Sequence, residues 1–205
     1  MKRILAFIGI AGVVVVGAFV AIVSMQPSET TVERSQTMAA SPATVYPLIS
    51  DLQAFTSWDP WSGRDPNQTM TYSDPASGVG AWYTWEGNDD VGKGRMDIID
   101  VVEGEKIVEN LTFIEPYPSE ATVTLSVAAE GDGSQVTWSM HMENGFMSKM
   151  MGLFMDMDAM IGPDFETGLA NLGALAEEAE GAAAEAEAEA EAAADDDPDT
   201  DTGTD

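Results

Sequence analysis

One histidine, no cysteine and 36 acidic residues bound the chemistry open to this 205-residue chain. The histidine, His141, falls in the alternating stretch Gln135 to Glu143. There Val136, Trp138, Met140 and Met142 share one face, and Thr137, Ser139, His141 and Glu143 share the other. His141 therefore reads as a surface residue. Without cysteine, a zinc site would rest on carboxylates, which structural zinc rarely does. No metal and no cofactor are expected. Nothing places a serine beside His141, so no Ser-His-Asp set assembles. Asp156 and Asp158 are two apart on a helix and point in different directions. Asp89-Asp90 solvates a turn, and Asp195-Asp-Asp197 lacks the spaced ligands of a calcium loop. One polar pair could do acid-base work: Glu86 and Arg95, on either side of the Gly87 to Gly94 turn. Inside a cavity they could act as proton donor and oxyanion partner. Outside one they would be a cross-strand ion pair.

The apolar residues offer binding rather than catalysis. Trp58, Trp61, Trp82, Tyr83 and Trp85 crowd a short segment, as core or as the mouth of a pocket. Between Gly145 and Leu172, Met147, Met150, Met151, Phe154, Ile161, Phe165, Leu169 and Leu172 recur mostly at three- and four-residue steps. That spacing predicts one long helix with an apolar stripe. The stripe either packs the core or lines a ligand cavity, and the methionines suit a wall that adapts to its contents.

These residues need elements to hold them. Thr31 to Met38 alternates. Ser41-Pro42 starts a helix with Ser as cap and Pro in the first turn, and Pro47 should distort or shorten it. Strands are expected over Thr69–Ser73, Gly80–Glu86, Gly94–Val102, Lys106–Ile114, Ala121–Ala128 and Gln135–Glu143. The order is a strand, a helix, about six antiparallel strands and a long helix: an α+β arrangement with helices gathered on one apolar sheet face. Pro163 predicts a kink or break of the long helix near Gly162.

Two appendages flank this unit. Ile4 to Val23 is an uncharged apolar run behind Lys2 and Arg3, long enough to span about 30 Å of hydrocarbon. No clean small-x-small cleavage site follows it, so residues 1–25 read as an uncleaved signal anchor, against the alternative of a cleaved signal peptide. The basic residues put the N-terminus in the cytoplasm and the domain on the exported side of the cell membrane, in a single pass. Residues 26–30 are a linker. Residues 174–205 form an Ala/Glu/Asp tail, a fraying helix that becomes disordered by Asp195. The formal charge is -28, and thirteen of the acidic residues lie after Gly173, where there is no basic one. So acidic a chain is unsuited to nucleic acid or anionic lipid and fits a surface adapted for solubility.

The order Ala40-Ser-Pro-Ala-Thr-Val-Tyr-Pro-Leu-Ile-Ser-Asp-Leu52, Trp58-Asp-Pro-Trp61, Thr71-Tyr72 and Gly78-Val-Gly-Ala-Trp-Tyr-Thr-Trp-Glu-Gly-Asn88 resembles the polyketide cyclase/dehydrase and lipid-transport branch of the START-like (SRPBCC) superfamily. Val91-Gly-Lys-Gly-Arg-Met96, Val136-Thr-Trp-Ser-Met140 and the Phe154 to Leu172 stretch extend the likeness, which covers Thr31 to Leu172. The resemblance implies a helix-grip fold over residues 31–173: a curved antiparallel sheet wrapped around a long C-terminal helix, with an apolar cavity between. The anchor, the tail and Pro163 depart from the family pattern. A hydrophobic or amphipathic, lipid-like small molecule is the expected partner, with the membrane engaged through the N-terminal helix. The expected lining is Trp82, Val123, Leu125, Trp138, Met140, Met142, Met151, Phe154 and Phe165. A cyclase- or dehydratase-type enzyme using Glu86 and Arg95, and an interaction module without ligand, are the alternatives. The sequence does not specify an oligomeric state.

Overall fold

The structure, a computed structural model, describes residues 2–195, with side chains described for residues 12–192. Helix α1 (Lys2–Ser24) leads into strand β1 (Glu29–Met38), the short helices α2 (Pro42–Ser50) and α3 (Leu52–Trp58), and strands β2 (Thr69–Tyr72) and β3 (Trp82–Glu86). Strands β4 (Lys93–Val102), β5 (Lys106–Glu115), β6 (Ser119–Glu130) and β7 (Gly133–Glu143) follow. Helices α4 (Phe146–Met151) and α5 (Met157–Asp195) end the described chain. The seven strands form one sheet in the order β1-β7-β6-β5-β4-β3-β2, and every neighbouring pair is antiparallel. The sheet is therefore a meander whose last strand closes on β1, as expected of a helix-grip domain.

Alternation places the core. Met96 and Ile98 of β4, Ile107 and Leu111 of β5, Val123 and Leu125 of β6 and Val136, Trp138 and Met140 of β7 are buried on one face. Helices α2, α3 and α5 cover that face with Val45, Ile49, Leu52, Phe55, Trp58, Phe165, Leu169 and Leu172. Ser41 caps α2 through the Thr44 amide, and Pro42 occupies the first turn. The helix ends after nine residues, and Asp51 starts α3 by accepting from the Gln53 and Ala54 amides at 2.8 and 3.0 Å. Pro47 thus sits in a helix that stays short.

Two expectations about the C-terminal helix are corrected. Gly145 to Leu172 is not one helix: α4 stops at Met151, and α5 starts at Met157. Nor does Pro163 break α5, which runs through it. Pro163 lies in the second turn, where it removes the bond a residue there would make to the Ala159 carbonyl, a cost that the buried Phe165, Leu169 and Leu172 of the same helix offset. Past Gly173 the helix still packs: Ala176 is fully buried, and Glu180 accepts from the Ser41 and Thr44 hydroxyls. The Ala/Glu segment continues as helix to Asp195. Asp196 and Asp197, and the end of the acidic tail, lie outside the described residues.

Among the described residues no helix is long and apolar enough to cross a membrane. The expected anchor falls partly on residues 2–11, whose side chains lie outside the described ones. Its backbone is helical, and it touches α4.

Candidate functional site

A cavity of about 230 Å³ opens between the sheet and the helices, at the end of the sheet carrying β3 and β4. Its walls are apolar: Phe55, Met70, Tyr83, Trp85, Met96, Leu111, Phe113, Met140 and Ile161. Its rim is polar: Asp59, Ser62, Arg64, Gln68, Asp90 and Asp164. Apolar walls with a few convergent polar groups are the usual form of a small-molecule site. A second depression, over Pro42, Gly104 to Lys106 and Ser126 to Ala129, is more open and has no aromatic wall.

Two loops build the rim. In the first, after α3, the Asp59 carboxylate accepts from the Trp61 amide at 2.7 Å, the Ser62 amide at 2.8 Å and the Ser62 hydroxyl. Burial raises the pKa of Asp59 despite these donors. Trp61 Nε1 donates to Asp164 at 3.1 Å, and Arg64 pairs with the same carboxylate at 2.5 Å, fixing the loop to α5. In the second, between β3 and β4, Trp85 Nε1 donates to the Val91 carbonyl at 3.0 Å. Asp65 accepts from the Asn88 amide at 2.8 Å and joins the two loops. Below them Trp138 lies flat on Phe165, with centroids 4.2 Å apart and planes 4° from parallel. Trp58, Phe55 and Trp61 meet Trp138 edge-on.

The sequence pattern of the family described as polyketide cyclase/dehydrase and lipid transport matches residues 29–177. The chain belongs to that family. Among solved structures, members of this fold group share its shape. Protein CV1439 from Chromobacterium violaceum superposes with a TM-score of 0.53 at 17% identity, over 72% of this chain and 96% of that one. The Mll3558 protein from Rhizobium loti gives 0.54 at 18% identity, over 71% and 96%. Major latex-like protein 151 from Panax ginseng gives 0.51 at 11%, over 72% and 97%. At these identities the likeness establishes the fold alone. A search of curated proteins finds no match.

Within this polyketide cyclase/dehydrase-family fold, the expected lining divides into three groups. Met140 lines the cavity. Val123, Leu125, Trp138 and Phe165 are buried in the packed core beside it, and Met142 is partly buried against that core. Three residues require correction. Phe154 is 81% exposed and Met151 46% exposed, because they lie at the break between α4 and α5 rather than on a continuous stripe. Trp82 points out of the other sheet face, where the Arg95 guanidinium lies over its ring at 4.4 Å.

Glu86 and Arg95 are not a cavity pair either. Glu86 is exposed and pairs with Lys93 at 2.7 Å, while Arg95 makes a forked contact to Asp97 at 2.5 and 2.7 Å. In β3, Tyr83 and Trp85 are the inward residues, so Trp82, Thr84 and Glu86 must face outward. The acid-base role assigned to Glu86 and Arg95 has no geometry to support it. His141 sits on the outer face, where its Nδ1 is 3.2 Å from the Thr31 hydroxyl. Among the described residues no group of three or more His, Asp or Glu could hold a metal.

One polar residue of the interior escaped the sequence reading. Glu109 of β5 is fully buried, and neither carboxyl oxygen has a hydrogen-bond partner among the described residues. Burial raises its pKa to about 8, so it is mostly neutral at pH 7. The signal was available: Ile107, Leu111 and Phe113 define the inward phase of β5, and Glu109 falls in it.

Proposed function

We propose that this protein binds one small, mostly apolar molecule in the cavity between the sheet and the helices, while α1 tethers the domain to a membrane. The apolar cavity with its polar rim carries the binding reading. An apolar space of about 150 Å³ holds benzene, and drug-sized ligands need about 300 Å³ or more. A cavity of about 230 Å³ lies between and suits a bicyclic ring system rather than a two-chain lipid. The driving force is burial, about 25 cal/mol per Å² of apolar surface. Arg64 and Asp164 hold the rim, so the site is open before the ligand arrives.

The tether rests on a 23-residue helix made mostly of apolar residues. Lys2 and Arg3 orient it with the N-terminus in the cytoplasm. It touches α4, whose exposed Phe146 and Met147 would lie at the bilayer surface. Naphthalene binding to the full chain in detergent, measured by calorimetry, tests the cavity. Val91→Trp, at the rim, serves as the control for partition into micelles. Saturable binding that Val91→Trp abolishes is expected; equal heats from both proteins would overturn the reading.

A further inference from the structure

Resting on the reading of the cavity as a ligand site, we infer that it selects an organic cation: a small aromatic molecule whose rings lie against the aromatic wall and whose protonated amine meets Asp59 at the rim. Five aromatic residues line the space: Phe55, Trp61, Tyr83, Trp85 and Phe113. Aromatic ring faces are electron-rich and attract ammonium groups. The charged residues of the lining are Asp59, Asp90, Asp164 and Arg64, three acids against one base. Arg64 is held by Asp164 at 2.5 Å, so its charge is answered within the rim. Lys93 and Arg95 of the adjoining strand β4 are paired with Glu86 and Asp97, and neither lines the cavity. A cleft with charge of one sign and low-dielectric walls concentrates ions of the opposite sign.

Asp59 is the group that a cation would meet. It lines the cavity and is only 8% exposed. Its donors, the Trp61 amide and the Ser62 amide and hydroxyl, are all neutral. Among the described residues no basic side chain forms an ion pair with it. Its charge also acts on a second lining residue: burial first, and then the Asp59 carboxylate, raises the pKa of Tyr83. Holding the loop does not require that charge. An asparagine would accept from the same two amides without burying an anion. A buried charge is normally paired, and a cationic ligand supplies the missing partner. A neutral ligand would leave Asp59 as it is. An anionic one would meet like charge on the rim, which costs binding energy.

The test uses three probes of one shape: 2-naphthylmethylammonium, 2-naphthylmethanol and 2-naphthoate. Each is titrated by calorimetry into the full chain in a non-ionic detergent at neutral pH. Subtracting Val91→Trp, which keeps the net charge of the chain, removes micelle partition and non-specific attraction of cations. The wild type is expected to bind the ammonium about tenfold tighter than the alcohol, the equivalent of about 1.4 kcal/mol, and 2-naphthoate weakest. Asp59→Asn should lose most of that preference and bind the alcohol as before. In the wild type, the Trp61 and Ser62 amide resonances report on the carboxylate to which they donate. They should move further on saturation with the ammonium than with the alcohol, a readout that does not depend on Asp59→Asn folding. Equal movement, or a preference that survives in Asp59→Asn, would take Asp59 out of the site. If the alcohol binds as tightly as the ammonium, or 2-naphthoate binds best, the cation inference fails while the cavity remains a ligand site. If none of the probes binds, nor naphthalene, the ligand reading itself falls, and this inference with it.

Discussion

Glu109 makes stability depend on pH. Its pKa is about 8 in the folded protein, against the ordinary 4.5. Between those values the unfolded chain holds fewer protons than the folded one, so stability falls as pH rises from 4.5 to 8 and levels off above. The fall is at most about 1.4 kcal/mol per pH unit. Urea unfolding at pH 5, 7 and 9 should show this slope in the wild type and its loss in Glu109→Gln; equal slopes would mean that the carboxyl is solvated. The aromatic stack is the second residue-scale feature. Phe165 is 1% exposed and covers Trp138, so Phe165→Ala should cost about 3–5 kcal/mol in the same assay. Both residues sit where the sequence predicts, inward on β7 and on the apolar stripe of α5. Their contact also explains why they pack the core beside the cavity instead of opening into it: stacked rings leave no space between them.

The strands were legible because alternation fixes both their type and their buried face. The helices were less so. Met151 and Phe154 fit a helical spacing, but a three- or four-residue rhythm does not reveal a break at residues 152–156. Edge strand β1 is held to α5 by Arg34, which contacts Asp158 at 2.8 and 3.0 Å and Glu166 at 2.8 Å. A side chain at Gly162 would collide with that guanidinium. Arg34→Met should lower the melting temperature at low salt, and the deficit should shrink near 1 M salt, where exposed ion pairs are screened. A deficit unchanged by salt would assign the effect to packing. Gly94 has a comparable role at the cavity. A methyl group there would run into the Trp85 ring and the Thr112 carbonyl. Gly94→Ala should therefore displace Trp85 and weaken naphthalene binding more than it lowers stability, readable by calorimetry and urea unfolding on one sample.

At the scale of the molecule, the proposed orientation follows from two basic residues and one apolar helix. The chain has no cysteine, so a single introduced thiol reports its own location. Tyr117 is 80% exposed on the β5–β6 turn. Tyr117→Cys should react with an impermeant maleimide in intact cells; protection until lysis would place the domain on the inner side. The sequence alone determined the α+β order, the meander of strands, the inward face of each strand and the acidic character. All of these depend on neighbours within a few residues or on composition. The tertiary structure decided which inward residues open into space, that Glu86 pairs with Lys93 rather than Arg95, that Pro163 is tolerated, and that Glu109 has no partner. Those outcomes depend on how distant segments fill a shared volume, and local periodicity does not encode that.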